Sequence, residues 1–147
     1  MTNVNPHSSP GISPEELMEK AKEARKASYS PYSGFAVGAA ILCADGSIYT
    51  GTNIENSSYP VGCCAERVAL FKAVSEGHRD DFQALALCGG KNESFVFCPP
   101  CGMCRQALSE FCPEGFTLFI MNDGGDGYTT ATLGELLPGA FGKEALT

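Results

Sequence analysis

The apolar positions of this chain change their period along its length, and the changes outline helices and strands in alternation. Ser13-Pro14-Glu15-Glu16 reads as an N-cap, a proline at the first helical position and a capping-box glutamate. It opens a helix to about Ser28, with Leu17, Met18, Ala21 and Ala24 at the three- and four-residue spacing of one inner face. Tyr29-Ser30-Pro31-Tyr32-Ser33-Gly34 stops it. Phe35 to Cys43 and Ser47 to Ile54 form two strands around Ala44-Asp45-Gly46, a hairpin signal of the Asp-Gly type. Ala65 to Ser75 mixes apolar Val68, Ala69, Leu70, Ala73 and Val74 with charged residues, as a helix does. The near-continuous apolar run from Phe82 to Cys88 suits a covered, central strand. A further helix starts at Cys101, Thr117 to Met121 makes another strand, Asn122 to Gly127 a turn, and Thr132-Leu133-Gly134-Glu135 a short capped helix. This order implies an α/β fold whose sheet is covered on both faces. Residues 1–12 are expected to form a flexible arm, and residues 13–147 a single domain.

Chemistry enters with Cys64-Ala65-Glu66 and Pro100-Cys101-Gly102-Met103-Cys104. Together they offer three thiolates and one carboxylate that is not a ligand, the inventory of a hydrolytic zinc site with a position left for water. It matches the all-cysteine variant of the pattern found in zinc nucleobase deaminases. Cys101 and Cys104 lie about one helical turn apart, and Cys64 opens another helix, so two helix starts would converge on the ion. Three thiolates on a divalent cation leave a net charge of about −1, which weakens it as a Lewis acid and calls for positive charge nearby. The helix N-termini, Arg67 and Arg105 can supply it. Glu66, two residues after Cys64, is placed to move a proton without binding the metal.

Plainer readings stand beside this one. Cys-x-x-Cys alone fits a redox pair as well as a metal clip. A closed structural zinc site would need a fourth ligand, for which Cys63 and Cys98 are candidates. Cys43, Cys88 and Cys112 sit in apolar contexts and read as core. Neither His7 nor His78 is placed as a ligand.

A net charge of −7, with ten lysines and arginines scattered along the chain, excludes the basic stripe that a polynucleotide substrate requires. A free nucleoside demands no such stripe. No apolar run approaches a membrane span, and Met1 to Gly11 lacks the hydrophobic stretch of a secretion signal. A cytoplasmic setting is expected, where eight cysteines mean metal and core rather than disulfides.

Several segments, in order and at family spacing, resemble the small, homotetrameric cytidine deaminases of pyrimidine salvage. They are Ser30 to Ala40, Thr52-Asn53-Ile54-Glu55-Asn56, Tyr59, Cys64-Ala65-Glu66-Arg67 and Pro100 to Gln106. The resemblance implies a three-layer α/β/α sandwich with a mixed five-stranded sheet, and hydrolytic deamination of cytidine and deoxycytidine to uridine and deoxyuridine. It places one zinc ion per subunit on Cys64, Cys101 and Cys104, makes Glu66 the general acid/base and makes Arg67 the residue that tempers the sulfurs. Asn53 and Glu55 would hold the ribose hydroxyls, Phe35 would wall the pyrimidine and the Ala65 N–H would meet the base carbonyl. Tyr59 and Phe141 would reach a neighbouring subunit's pocket. Blasticidin-S deaminases share the Cys-Ala-Glu and Pro-Cys-Gly-x-Cys-Arg-Gln elements and form the alternative within this chemistry. A zinc-stapled binding module without catalysis is the alternative from another class.

Overall fold

Alternation along the strands decides which helix covers each face of the sheet. The computed structural model describes residues 11–147. Five strands, β1 (Phe35–Cys43), β2 (Ile48–Thr52), β3 (Phe82–Lys91), β4 (Thr117–Met121) and β5 (Tyr128–Thr132), lie in the order β2-β1-β3-β4-β5. The β3–β4 pair is parallel and the others are antiparallel, so the sheet is mixed. Ala39, Ile41 and Cys43 of β1 and Leu85 and Leu87 of β3 point to one face. There they pack with helix α2 (Ala65–Ser75) and helix α3 (Gly102–Phe111) through residues such as Ala69, Leu70 and Leu108. Ala40 and Leu42, with Ala84, Ala86 and Cys88, point to the other face. Helix α1 (Pro14–Arg25) lies there, offering Leu17, Met18 and Ala21. The result is the expected three-layer α/β/α sandwich. Each large apolar side chain buried in these layers contributes about 1.5–3 kcal/mol relative to an exposed one.

Helix starts follow the local chemistry. Ser13 caps α1 through the expected capping box with Glu16, and Thr132 does the same with Glu135 for the one-turn helix α4 (Leu133–Leu136). Helix α1 stops at Arg25, earlier than the residue pattern suggests. The Arg25 side chain turns inward and donates to the carbonyls of Ala36, Gly90, Asn92 and Ser94, lying over the Phe95 ring. This satisfied guanidinium ties the end of α1 to the same end of the sheet that carries Phe35.

Strand β5 is the element that the hydrophobic pattern does not disclose. Its sequence, Tyr-Thr-Thr-Ala-Thr, has little apolar alternation because it occupies a half-exposed sheet edge. Strand β3 runs past Cys88 to Lys91, since Gly89 and Gly90 continue the ladder with Val37 and Ala36. Strand β2 is shorter than the apolar run, although Ile54 keeps isolated bridges to Tyr29 and Cys63. Most of the arm expected over residues 1–12 lies outside the described residues; of its last two, Ile12 packs on the α1 side of the core. Among the described residues no helix is long and apolar enough to cross a membrane.

Candidate metal centre and active site

Helix α2 follows the carboxyl end of β2, and α3 follows the carboxyl end of β3. Both strands run antiparallel to β1, so the two helices begin at one end of the sheet. Cys64 is the N-cap of α2 and Cys101 the N-cap of α3. Neither cap residue spends its side chain on the helix, so both sulfurs are left for another partner. Cys104 follows one turn into α3 and is fully buried. Cys64 Sγ lies 3.8 Å from Cys101 Sγ, and the sulfurs of Cys64, Cys101 and Cys104 all fall within 4.8 Å of one another.

Charge at this point is arranged for a cation. Cys64 is pulled down to about 5, first by the hydrogen bond from the Cys104 thiol and then by Arg67, against the effect of burial. Cys104, the partner in that bond, is pushed up correspondingly. Arg67 points a guanidinium nitrogen at Cys64 Sγ, 3.7 Å away. Burial works against its charge, but the Cys64 and Cys104 sulfurs prevail and hold its pKa above the ordinary arginine value. Its Nε is buried and has no hydrogen-bond partner. Arg105, the other cation suggested by the sequence, is committed elsewhere. It donates to the carbonyls of Pro100 and Leu136, at 2.7 and 2.6 Å, and so braces α4 against the start of α3.

Glu66 sits in the first turn of α2 with 4% of its surface exposed. Burial pushes its carboxyl up to about 7. Ala65, the first residue of that helix, is fully buried. The N–H of a first helical residue has no partner within its own helix.

Cys63 and Cys98 stand apart from the sulfur cluster, which among the described residues contains no fourth thiol. Burial raises the thiol pKa of both, Cys98 to about 11, which favours the protonated form over the thiolate a metal needs. Cys98 instead lines a wall. A side chain added at Gly89 would lie 2.9 Å from Phe35 Cε1 and 3.3 Å from Cys98 Sγ, so this glycine lets the Phe35 ring settle over β3 beside Cys98. Cys43, Cys88 and Cys112 are core thiols, raised to about 12, 11 and 12 by burial. Cys43, His78 and Asp81 also gather three donor atoms, with His78 Nδ1 2.6 Å from Asp81 Oδ2 inside the loop before β3, and the Ala44 N–H donates to the Asp81 carbonyl at 2.7 Å, which joins the end of β1 to that loop.

Asn53 and Glu55 lie just past β2, at the sheet end that carries the cysteines. The Asn53 amide oxygen accepts from the Ser28 hydroxyl at 2.5 Å and the Val37 N–H at 2.8 Å, and its nitrogen donates to the Phe35 carbonyl at 2.8 Å. The Glu55 carboxylate accepts from the N–H groups of Tyr32 and Ser33 and from the Ser33 hydroxyl. A cavity of about 350 Å³ opens beside it, lined by Tyr32, Ser33, Glu55, Asn56, Tyr59 and Gly62. Within one chain Tyr59 and Phe141 are largely exposed, at 75% and 64%. Ser28, Ser33 and Gly89 carry no signal of their own in the sequence, where they fall in a helix end, a turn and a glycine pair.

A profile of the cytidine and deoxycytidylate deaminase zinc-binding region matches residues 12–119, a span that contains all three clustered cysteines and Glu66. The chain belongs to the cytidine deaminase family. It is 49% identical over 133 residues to a cytidine deaminase of Sporosarcina psychrophila, covering 90% of this chain and 94% of that protein. A cytidine deaminase of Halalkalibacterium halodurans is 48% identical over 128 residues, 87% of this chain and 93% of that one. The crystal structure of cytidine deaminase from Burkholderia pseudomallei superposes with a TM-score of 0.82 at 39% identity, covering 88% of this chain and all of the other. The cluster of three sulfurs beside an arginine, at two helix starts, fits the zinc ion of that family.

Proposed function

We propose that this chain catalyses the zinc-dependent hydrolytic deamination of cytidine and deoxycytidine to uridine and deoxyuridine, as a cytoplasmic homotetramer serving pyrimidine salvage. One observation carries the catalytic reading: three sulfurs gathered with no fourth among the described residues, next to a buried carboxylate. A closed structural site would leave Glu66 without a task, and its burial without a partner charge would be costly.

Cys64, Cys101 and Cys104 would hold the ion. Zinc supplies Lewis acidity that lowers the pKa of water near neutrality. Arg67 offsets part of the negative charge of the sulfurs and so preserves that acidity. Glu66 takes a proton from the attacking water and delivers it to N3 of the cytosine ring as C4 gains its new C–O bond. A second proton passed to the amino group lets ammonia leave, so that one water enters and one ammonia departs. Phe35 walls one side of the ring, and the Ala65 N–H meets the base carbonyl.

Sugar binding falls to Asn53 and Glu55. An amide has two donor and two acceptor sites. The bonds that Asn53 makes leave it one N–H, and those of Glu55 leave one oxygen with room to accept. One donor beside one acceptor suits a hydroxyl group. Tyr59 and Phe141, exposed in the single chain, would complete a neighbouring subunit's pocket.

The decisive variant is Glu66→Gln. It is expected to retain one zinc per chain and to lose about 10³-fold or more of kcat with cytidine. Near-normal ammonia release by that variant would remove Glu66 from the reaction. Assaying the parent with blasticidin S alongside cytidine separates the alternative substrate, since turnover should favour cytidine.

A further inference from the structure

Glu55 is a surface carboxylate on an irregular segment, and a carboxylate in that position is ordinarily free to rotate. Here it is held at three points, all from two consecutive residues. Oε1 accepts from the Tyr32 N–H at 2.9 Å and the Ser33 N–H at 3.1 Å, while Oε2 accepts from the Ser33 hydroxyl at 2.5 Å. Gly34, at φ +67, turns the chain immediately afterwards, and its N–H closes back on the Ser30 carbonyl at 3.0 Å. That bond closes the turn that carries the Tyr32 and Ser33 N–H groups.

The Ser33 hydroxyl has a fixed direction as well. Its oxygen accepts from the Phe35 N–H at 2.9 Å. With that bond in place, the hydroxyl proton points to Glu55, and a continuous chain of donors runs from the first residue of β1 to the carboxylate. Asn53 is anchored separately, by Ser28 and by the backbone of Phe35 and Val37, so loss of Ser33 would leave it in place.

We propose that Ser33 is a positioning residue for the sugar of the substrate: it fixes the Glu55 carboxylate in register with the β1 start that carries Phe35. The proposal rests on the reading of Glu55 as a sugar-binding residue. Ser33 itself touches neither the ring nor the reacting atoms. Its effect therefore falls on binding of a hydroxylated sugar and spares the chemical step.

The test uses the zinc-loaded enzyme with cytidine and with 2′,3′-dideoxycytidine, whose sugar lacks the hydroxyls Glu55 would meet. Ser33→Ala is expected to raise KM for cytidine about ten-fold with kcat within about two-fold, and to leave kcat/KM for dideoxycytidine within about two-fold. Ser33→Thr keeps the hydroxyl and should recover most of the loss. An unchanged cytidine KM in Ser33→Ala, an equal loss on both substrates, or no recovery in Ser33→Thr would each overturn the proposal. Glu55→Gln tells the two readings apart. If it lowers the preference for cytidine over dideoxycytidine while Ser33→Ala does not, Glu55 keeps its role and Ser33 loses its own. If Glu55→Gln leaves that preference intact, the sugar-binding reading of Glu55 fails.

Discussion

Single residues carry most of the chemistry here, and each acts through what surrounds it. Burial raises the Glu66 carboxyl, whereas Glu55, a residue of the same type, is held below its ordinary value of 4.5 by the Ser33 hydroxyl and then by the Ser33 N–H. The sign of the second shift sets a pH dependence. A depressed carboxyl keeps its charged contacts above the ordinary value and loses them only as pH falls through the lower one. The Glu55 contribution to cytidine binding should therefore persist as pH falls to 4.5 and weaken below it. In Ser33→Ala the weakening should begin at higher pH, a difference measurable as the ratio of cytidine KM values of the two proteins across acidic buffers. The three clustered cysteines and Glu66 were legible in the sequence because their spacing marks two helix starts that one metal ion could join. Ser28 and Ser33 were not, because a serine whose hydroxyl bonds an amide or a carboxylate far along the chain is spelled like any other turn serine.

Elements deliver those residues to one place. The helix starts, the hairpin and the central strand could be read from the chain, since caps, an Asp-Gly turn and a period of two all leave local marks. Strand β5 left none: its threonines face solvent on an edge, and tertiary pairing with β4 decides its state. The contacts of Arg67 and Arg105 illustrate the same limit, for both follow a clustered cysteine closely and only packing sends one to sulfur and the other to carbonyls. The seat of Phe35 on β3 depends on a missing side chain. Gly89→Ala would place a methyl 2.9 Å from the ring edge and 3.3 Å from the Cys98 sulfur, so the ring would have to shift. The expected outcome is a several-fold rise in KM for cytidine with a stability loss of about 1–3 kcal/mol, checked by steady-state kinetics and urea unfolding.

The whole molecule places α1 alone on one face and both cysteine-bearing helices on the other, so the site lies at one end and one side of the sandwich. Tyr29, Tyr32, Tyr59, Val61 and Phe141 are exposed in the single chain. Sedimentation should find a tetramer, and a fully active monomer would take Tyr59 and Phe141 out of the site. The two cysteine-bearing connections are far apart in sequence and come together at the sulfurs. A bound ion thus acts as a cross-link between them, and stripping it has a further effect. Cys64 and Cys101, 3.8 Å apart, become neighbours that an oxidant can couple, locking the ion out. The metal-free protein is therefore a material to prepare under reducing, air-free conditions, because exposure to air would turn a reversible loss into a lasting one.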